Sequence, residues 1–288
     1  MKRFALIFAI SLICALPLRA ADWDGFVWAG FQTTDDASGF GFLDVTASFD
    51  LSHSYPLTLE VGVYEFVLPD KRPHETYVAL AWDDRFRLGV VRPAYDSVLP
   101  SKFERIAPYL SYERAEYSRA RTTTLALRDG AVPFGLSYQS RPGDWTWAVS
   151  AHSARGGDFH SASFAVSYEK GPWTVAAAVE GLWPDHSDGA ELNAKAGVTY
   201  AKDKWAVGLS FFHPSAHDDP DILALDLSYQ ATRDLSLYLV SELAENSDFN
   251  AHGFGLSYSV SDRAALTAAI TQTGNQETAG HFGLSWRF

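Results

Sequence analysis

The sequence is nearly without sulfur: of its 288 residues one is cysteine, Cys14, and one is methionine, Met1. Both fall in a first stretch of different character, so the remainder offers neither a disulfide nor a free thiol. Whatever it folds into must be held by burial and hydrogen bonding alone. Long apolar runs are also missing beyond residue 20, the longest being interrupted every few residues by Ser, Thr, Gly or a charge. A membrane helix needs about 20 consecutive apolar residues, so none is expected there. Helical periodicity is nearly absent. Positive charge is scarce: of 23 Lys and Arg, three (Lys2, Arg3 and Arg19) lie in the first twenty residues, leaving 20 bases against 35 acids. Nucleic acid is therefore not an expected partner. The acidity suits solubility, a cation preference in a pore, or loops that hold divalent ions against anionic lipid.

The first twenty residues place Lys2 and Arg3 before an apolar run from Phe4 to Leu16, and close on Leu18-Arg19-Ala20 or Arg19-Ala20-Ala21. This reads as a secretory signal peptide over residues 1–20, cleaved to leave 21–288. Lipidation at Cys14 is disfavoured, because Ile13 stands where that processing needs a small residue.

Short runs of period two fill the rest, at 26–31, 43–49, 57–66, 76–82, 134–138, 164–168, 173–179, 192–200, 205–211, 223–229, 235–243, 254–258, 266–272 and 280–288. The last is the clearest: Phe282, Leu284, Trp286 and Phe288 alternate with His281, Gly283, Ser285 and Arg287. One face of such a strand is greasy and the other small and polar. The connections are of two alternating kinds, tight (Asp83-Asp84, Lys170-Gly171-Pro172, Lys202-Asp203) and longer and more acidic (35–38, 69–74, 184–189, 214–221, 245–251, 274–279). A repeat of about 30 residues ends each time in an aromatic before a tight turn or the terminus: Tyr138, Tyr168, Tyr200, Tyr229, Tyr258 and Trp286, with Phe49 and Trp82 upstream. Long loops on one side, short turns on the other and aromatics at one height are the marks of a transmembrane barrel. The fold class expected is thus all-β, an antiparallel up-and-down transmembrane β-barrel. A first strand near 23–31 would close it against the last.

Opposite the greasy face lie Asp44, Thr46 and Ser48; Glu60; Glu180; Lys195; Asp226; and Arg287. Charges in mid-strand cost several kcal/mol unpaired in a soluble core, but little in a wet lumen. A soluble secreted β-rich binding protein remains the bland alternative. Strand number turns on 93–131. A run at 121–128 reads as one more strand; pairing it with a strand at 109–113 gives 18, whereas a long third loop at about 93–118 with a merged strand gives 16.

A search for chemistry finds little. His74-Glu75 begins a zinc-protease helix, but Val78 stands where the second His belongs. His152-Ser153 and His160-Ser161 are adjacent pairs, which a strand sends to opposite faces. His213, His217, Asp218, Asp219 and Asp221 form the best metal-like group, a weak candidate against a solvated loop. No cofactor is expected. A phospholipase-like or protease-like outer-membrane barrel enzyme is the alternative from another class.

The stretch ALAWDDRFRLGVVRPAYDSVLP from Ala79 resembles the Gram-negative general porins, with Arg92, Pro93, Tyr95 and Asp96 where that family enters its third loop. Residues 121–138 resemble the strand pair after that loop, and GLSWRF the family's C-terminal assembly signal. The chain is short for the family, its other loops are small, and it lacks the Pro-Glu-Phe-Gly-Gly element of the loop. The resemblance favours 16 strands. It implies a bacterial outer-membrane channel for passive diffusion of small hydrophilic solutes, a homotrimer among outer-membrane lipids and lipopolysaccharide, and recognition by the barrel-assembly machinery through Phe288. It further implies a constriction of loop acids, Asp96, Glu104 and Glu113, facing wall bases, Arg87, Arg92, Arg119 and Arg121, whose transverse field would orient dipolar solutes.

Overall fold

A computed structural model describes residues 21–33, 38–52, 54–69, 71–155, 159–185, 189–214, 219–274 and 277–288. The expected signal peptide, His217 and Asp218 lie outside the described residues. Sixteen strands follow one another: β1 (Asp22–Gln32), β2 (Ser38–Asp50), β3 (Leu57–Val67), β4 (His74–Trp82), β5 (Phe86–Val90), β6 (Val132–Ser140), β7 (Trp145–Arg155) and β8 (Phe159–Lys170) come first. Then come β9 (Trp173–Pro184), β10 (Glu191–Lys202), β11 (Trp205–His213), β12 (Ile222–Gln230), β13 (Leu235–Ala244), β14 (Ala251–Ser259), β15 (Ala264–Thr273) and β16 (Thr278–Arg287).

Each strand pairs with its chain neighbours, and β1 pairs antiparallel with β16, Phe26 opposite Arg287 through Gln32 opposite His281. The sheet closes on itself, so along the paired registers backbone donors and acceptors meet each other rather than water, as hydrocarbon demands. The closing seam is tied where the aromatic end was expected to matter: the Phe288 N–H donates to the Gly25 carbonyl at 3.1 Å, and its ring lies 6.3 Å from that of Trp23. Tight turns use the conformations their residues tolerate. Asp83 and Asp84 sit at φ 55° and 52°, Asp203 at 54° and Gly171 at 57°, the left-handed region that short hairpins require. The girdle is present as cross-strand pairs at this end, Trp145 with Tyr168, Trp173 with Tyr200 and Trp205 with Tyr229, at 4.7, 4.7 and 4.1 Å between centroids.

Register sets the two faces. Leu80, Leu136, Val175, Leu209, Leu225, Phe254 and Leu284 are exposed on the outside, an apolar belt suited to lipid. Inside, the upper halves of β1 to β3 depart from the expected polar lumen. Trp28, Phe40, Phe42, Tyr64 and Phe66 are buried there as one aromatic cluster, with Phe42 and Phe66 stacked at 4.9 Å. The Trp28 indole lies over Gly283, where an added Cβ would stand 2.3 Å from it, and its N–H donates to Thr267 Oγ1 at 2.7 Å.

Between β5 and β6 the chain turns inward as one long segment, residues 91–131. It holds two 3-10 turns (Ala94–Ser97 and Lys102–Arg105) and three short helices, α1 (Pro108–Glu113), α2 (Ala115–Ser118) and α3 (Arg121–Asp129). This corrects two readings: 109–113 and 121–128 are helical, so there is neither an extra strand nor a merged one, and the loop runs past 118 to 131. Threonines favour strands by propensity, but tertiary partners decide here. The Glu180 carboxylate accepts from the first N–H groups of α3, and Gly130 at φ 71° caps its far end.

Candidate functional site

The functional site of a barrel is what stands in its lumen, and here that is the segment 91–131. It is held to the wall by apolar seats and by polar ties. Phe103 and Ile106 seat against β14, where Gly253 and Gly255 leave room: a Cβ there would come 2.9 Å from Phe103 Cε1 and 2.8 Å from Ile106 Cβ. Tyr117 and Leu99 pack on Phe212, Ile222 and Ala224. Leu99 sits at φ 48°, an unfavourable conformation for a bulky residue, held by this burial. Tyr109 meets Phe40 edge-on at 5.7 Å, and Tyr112 lies 4.9 Å from Phe66.

The polar ties absorb the mid-strand charges. Glu180 accepts from the backbone N–H of Arg121 at 2.5 Å and of Thr122 at 3.2 Å, from the Thr122 hydroxyl at 2.7 Å and from Asn193 at 2.9 Å. Lys195 donates to the Ser118 carbonyl at 2.7 Å, and Arg114 to Glu242 at 2.5 Å. Glu180 and Lys195 were expected to face water and are instead 1 and 2% exposed, and Glu242 beside them is 4% exposed. They are tolerated because the loop brings each a partner.

The expected constriction residues divide differently from acids on the loop and bases on the wall. Arg119 and Arg121, expected on the wall, belong to the loop. Arg119 is buried against Glu104 of the same loop and against the Tyr64 hydroxyl, while Arg121 reaches Glu191 at 3.3 Å. Asp96 accepts from the Ala120 N–H at 2.7 Å and from the Thr123 hydroxyl, fixing the start of α3. Glu113 stands exposed at the outer rim. Of the expected wall bases only Arg87, on β5, lies on the wall, paired with Glu60 at 2.7 and 3.0 Å; Arg92, at the start of the inward segment, pairs with the wall carboxylate Asp44. Arg92 also lies 4.4 Å over the Tyr77 ring. Asp44 and Glu60 were legible as inward charges but not as partners, because their cations are 48 and 27 residues away. On the outer side, burial pushes the Glu116 carboxyl up against the pull of Arg128, and pushes the Tyr117 hydroxyl up to about 12.

A cavity of about 910 Å³ opens where β5 stops at Val90 and leaves the upper ends of β4 and β6 apart, lined by Lys71, Arg72 and Arg128 and by Glu75 and Glu113. Two smaller ones of about 240 and 320 Å³ lie at the turn side, with Arg105 lining both. No metal-binding group of three or more side chains occurs among the described residues. His213 pairs with Asp221 at 2.7 Å.

A closed sixteen-strand barrel with a lipid-facing belt and an inserted third loop defines a bacterial outer-membrane channel. The Gram-negative porin family matches residues 99–278 by sequence profile, and the chain belongs to that family. It is a diffusion porin of the outer membrane, passing small hydrophilic solutes. Among solved structures it is similar to a triple-substituted variant of Rhodopseudomonas blastica porin, at 14% identity and TM-score 0.71, and to an alanine-to-tryptophan variant of the same porin, at 14% and 0.72. Each comparison covers 93% of this chain and 100% of that one. No curated protein matches.

Proposed function

We propose that the chain is exported with loss of residues 1–20, carries out no catalysis, and conducts ions past two wall ion pairs rather than between opposed rows of charge. The observation that supports this is that Asp44 and Arg92 keep 28 and 36% exposure, and Glu60 and Arg87 18 and 27%. Paired charges give little transverse field, so selectivity follows the local balance at each pair. Purified protein in a planar bilayer should give stable conductance steps, and a silent barrel would end the reading. Asp44→Asn with Glu60→Gln leaves Arg92 and Arg87 uncompensated, and the reversal potential in a salt gradient should move toward anion preference. An unchanged potential would remove these pairs from the ion path.

We also propose a homotrimer through the outer face of β1 to β4. That face includes Ala29, Gly39, Gly41, Ala47, Thr76 and the carboxylate of Glu65, which lies across from His74. Small residues let a neighbour approach closely, and a carboxylate is better covered by protein than by lipid. Glu65→Arg should convert the slow-migrating unboiled species on a gel to monomer; an unaltered trimer band would place the interface elsewhere. Lipopolysaccharide phosphates suit Lys71, Arg72 and Arg128 around the cavity beside the end of β5, and Phe288 suits the barrel-assembly machinery. Outer-membrane fractions should contain protein beginning at Ala21, and an intact Met1 there would refute cleavage.

A further inference from the structure

The 3-10 turn Lys102–Arg105 carries one charge that the fold does not use. Lys102 pairs with Asp226 on β12 at 3.3 Å, Phe103 fills the space over Gly253 on β14, and Glu104 pairs with Arg119. Arg105 has no carboxylate partner among the described residues and stands exposed toward the turn side. Its backbone is nonetheless fixed, because Phe103 and Ile106 on either side are 0 and 1% exposed. A guanidinium whose backbone is already in place has less freedom to lose on meeting a ligand. Two more share its surroundings. The chamber of about 240 Å³ that Arg105 lines is lined also by Arg263, in the turn between β14 and β15, and by Arg287 on β16. These two are joined through the main chain, the Arg287 N–H donating to the Arg263 carbonyl at 2.8 Å. Ser236 on β13 stands opposite Ser257 on β14, so hydroxyls complete the lining, and Asp262 is its one carboxylate. Three cations against one acid reverses the balance of the whole chain, whose 35 acids exceed its 23 bases.

We propose that this turn-side chamber binds a small tetrahedral dianion, hydrogen phosphate or a phosphate monoester. The donor fork of a guanidinium matches the paired oxygens of a carboxylate or a phosphate. A flat carboxylate offers one such edge, whereas a phosphate presents oxygens on every side, which suits donors arriving separately from the loop, from the β14–β15 turn and from β16. The proton that hydrogen phosphate keeps has an acceptor among the lining groups in Asp262, an interaction that sulfate cannot make. Chloride gains only the general field of the cations. None of the wall-pair residues Asp44, Glu60, Arg87 and Arg92 lines this chamber, so it adds recognition of a solute to conduction past those pairs.

The test is isothermal titration of inorganic phosphate into the folded barrel in detergent, at constant ionic strength in sodium chloride and above the second ionisation of phosphate. Saturable binding is expected, several-fold tighter than that of sulfate under the same conditions. Heat that does not saturate, or sulfate binding as tight as phosphate, would overturn the assignment. Arg105→Gln removes one charged donor group and should weaken phosphate about ten-fold, and Arg263→Gln, in an exposed turn, should weaken it likewise; unchanged affinity in both would sink the proposal. Lys170→Gln loses the same charge at the end of β8, outside the chamber, and should bind as wild type does. Equal weakening in all three would reduce the effect to bulk charge and overturn the site. Unboiled gel migration shows which variants have folded. Because the titration reads binding without conduction, a conducting barrel that fails to bind phosphate overturns this inference alone, whereas a silent barrel that binds it ends the conduction reading and leaves the site standing.

Discussion

Glu180→Ala is expected to release α3 from the wall and expose the loop to protease while the barrel itself stays closed. The carboxylate is the acceptor for two backbone N–H groups of the first turn of α3, for the Thr122 hydroxyl and for Asn193. Alanine leaves these donors in a space where Glu180 is 1% and Thr122 0% exposed. Each buried unsatisfied group costs about 1–3 kcal/mol, and a carboxylate at a helix N-terminus contributes roughly 0.3–1 kcal/mol more. A combined effect of about 3–5 kcal/mol follows if part of the network relaxes onto Ser161, which the Thr122 hydroxyl already meets at 2.6 Å. The loss falls on the loop, because the sixteen strands keep every backbone pair. Trypsin should then cut after Arg121 or Arg128 in detergent-solubilised variant but not in wild type, with the heat-modified gel shift retained. A variant as protease-resistant as wild type would show that Glu180 does not hold α3.

Why the barrel was legible in the sequence and the loop was not follows from the same contrast. A strand in a lipid-facing barrel has a two-residue period imposed by its surroundings, so Phe282, Leu284 and Trp286 announce both the strand and its outward face without knowledge of any partner. Strand β7, WTWAVSAHSAR, is less clearly marked: only Trp145, Trp147 and Val149 distinguish its outward face from small residues on both sides. In the loop no single surroundings act along the chain. Successive residues of Arg121–Asp129 meet Glu180, Ser161, Asp96 and Leu125's own apolar neighbours on β8 and β9, so its threonines, read by propensity, give a strand. The helix end carries a local signal in Gly130, the left-handed cap after Asp129. The charges show a further limit. Asp44, Glu60, Glu180, Lys195 and Glu242 stand where alternation puts the lumen, but whether a lumen position is wet depends on what folds into it, and that is decided by residues 27 to 128 positions away.

The Arg114–Glu242 pair should behave as a unit whose halves cannot be removed singly. The two side chains are 10 and 5% exposed, Nε to Oε2 is 2.5 Å, and Arg114 also lies 4.7 Å over the Tyr117 ring. Glu242→Ala leaves a guanidinium that never loses its charge inside packed protein, which costs about 3–5 kcal/mol. The loop answers by expelling Arg114, and with it the junction of α1 and α2, toward water. Replacing both, Arg114→Met with Glu242→Leu, removes the desolvated charges together and keeps apolar volume, so it should be near neutral or mildly stabilising. Hydrogen exchange in detergent reads this directly. In Glu242→Ala the amides of Ser111, Arg114 and Arg119, which donate within the loop to Ala107, Leu110 and Ala115, should lose protection, while those of β13 and β14 keep it; in the double variant all should stay protected. Equal protection in wild type and Glu242→Ala would mean the pair contributes no anchoring. Loss of protection in the double variant as severe as in the single would mean the charge itself, not its burial unpaired, positions the loop.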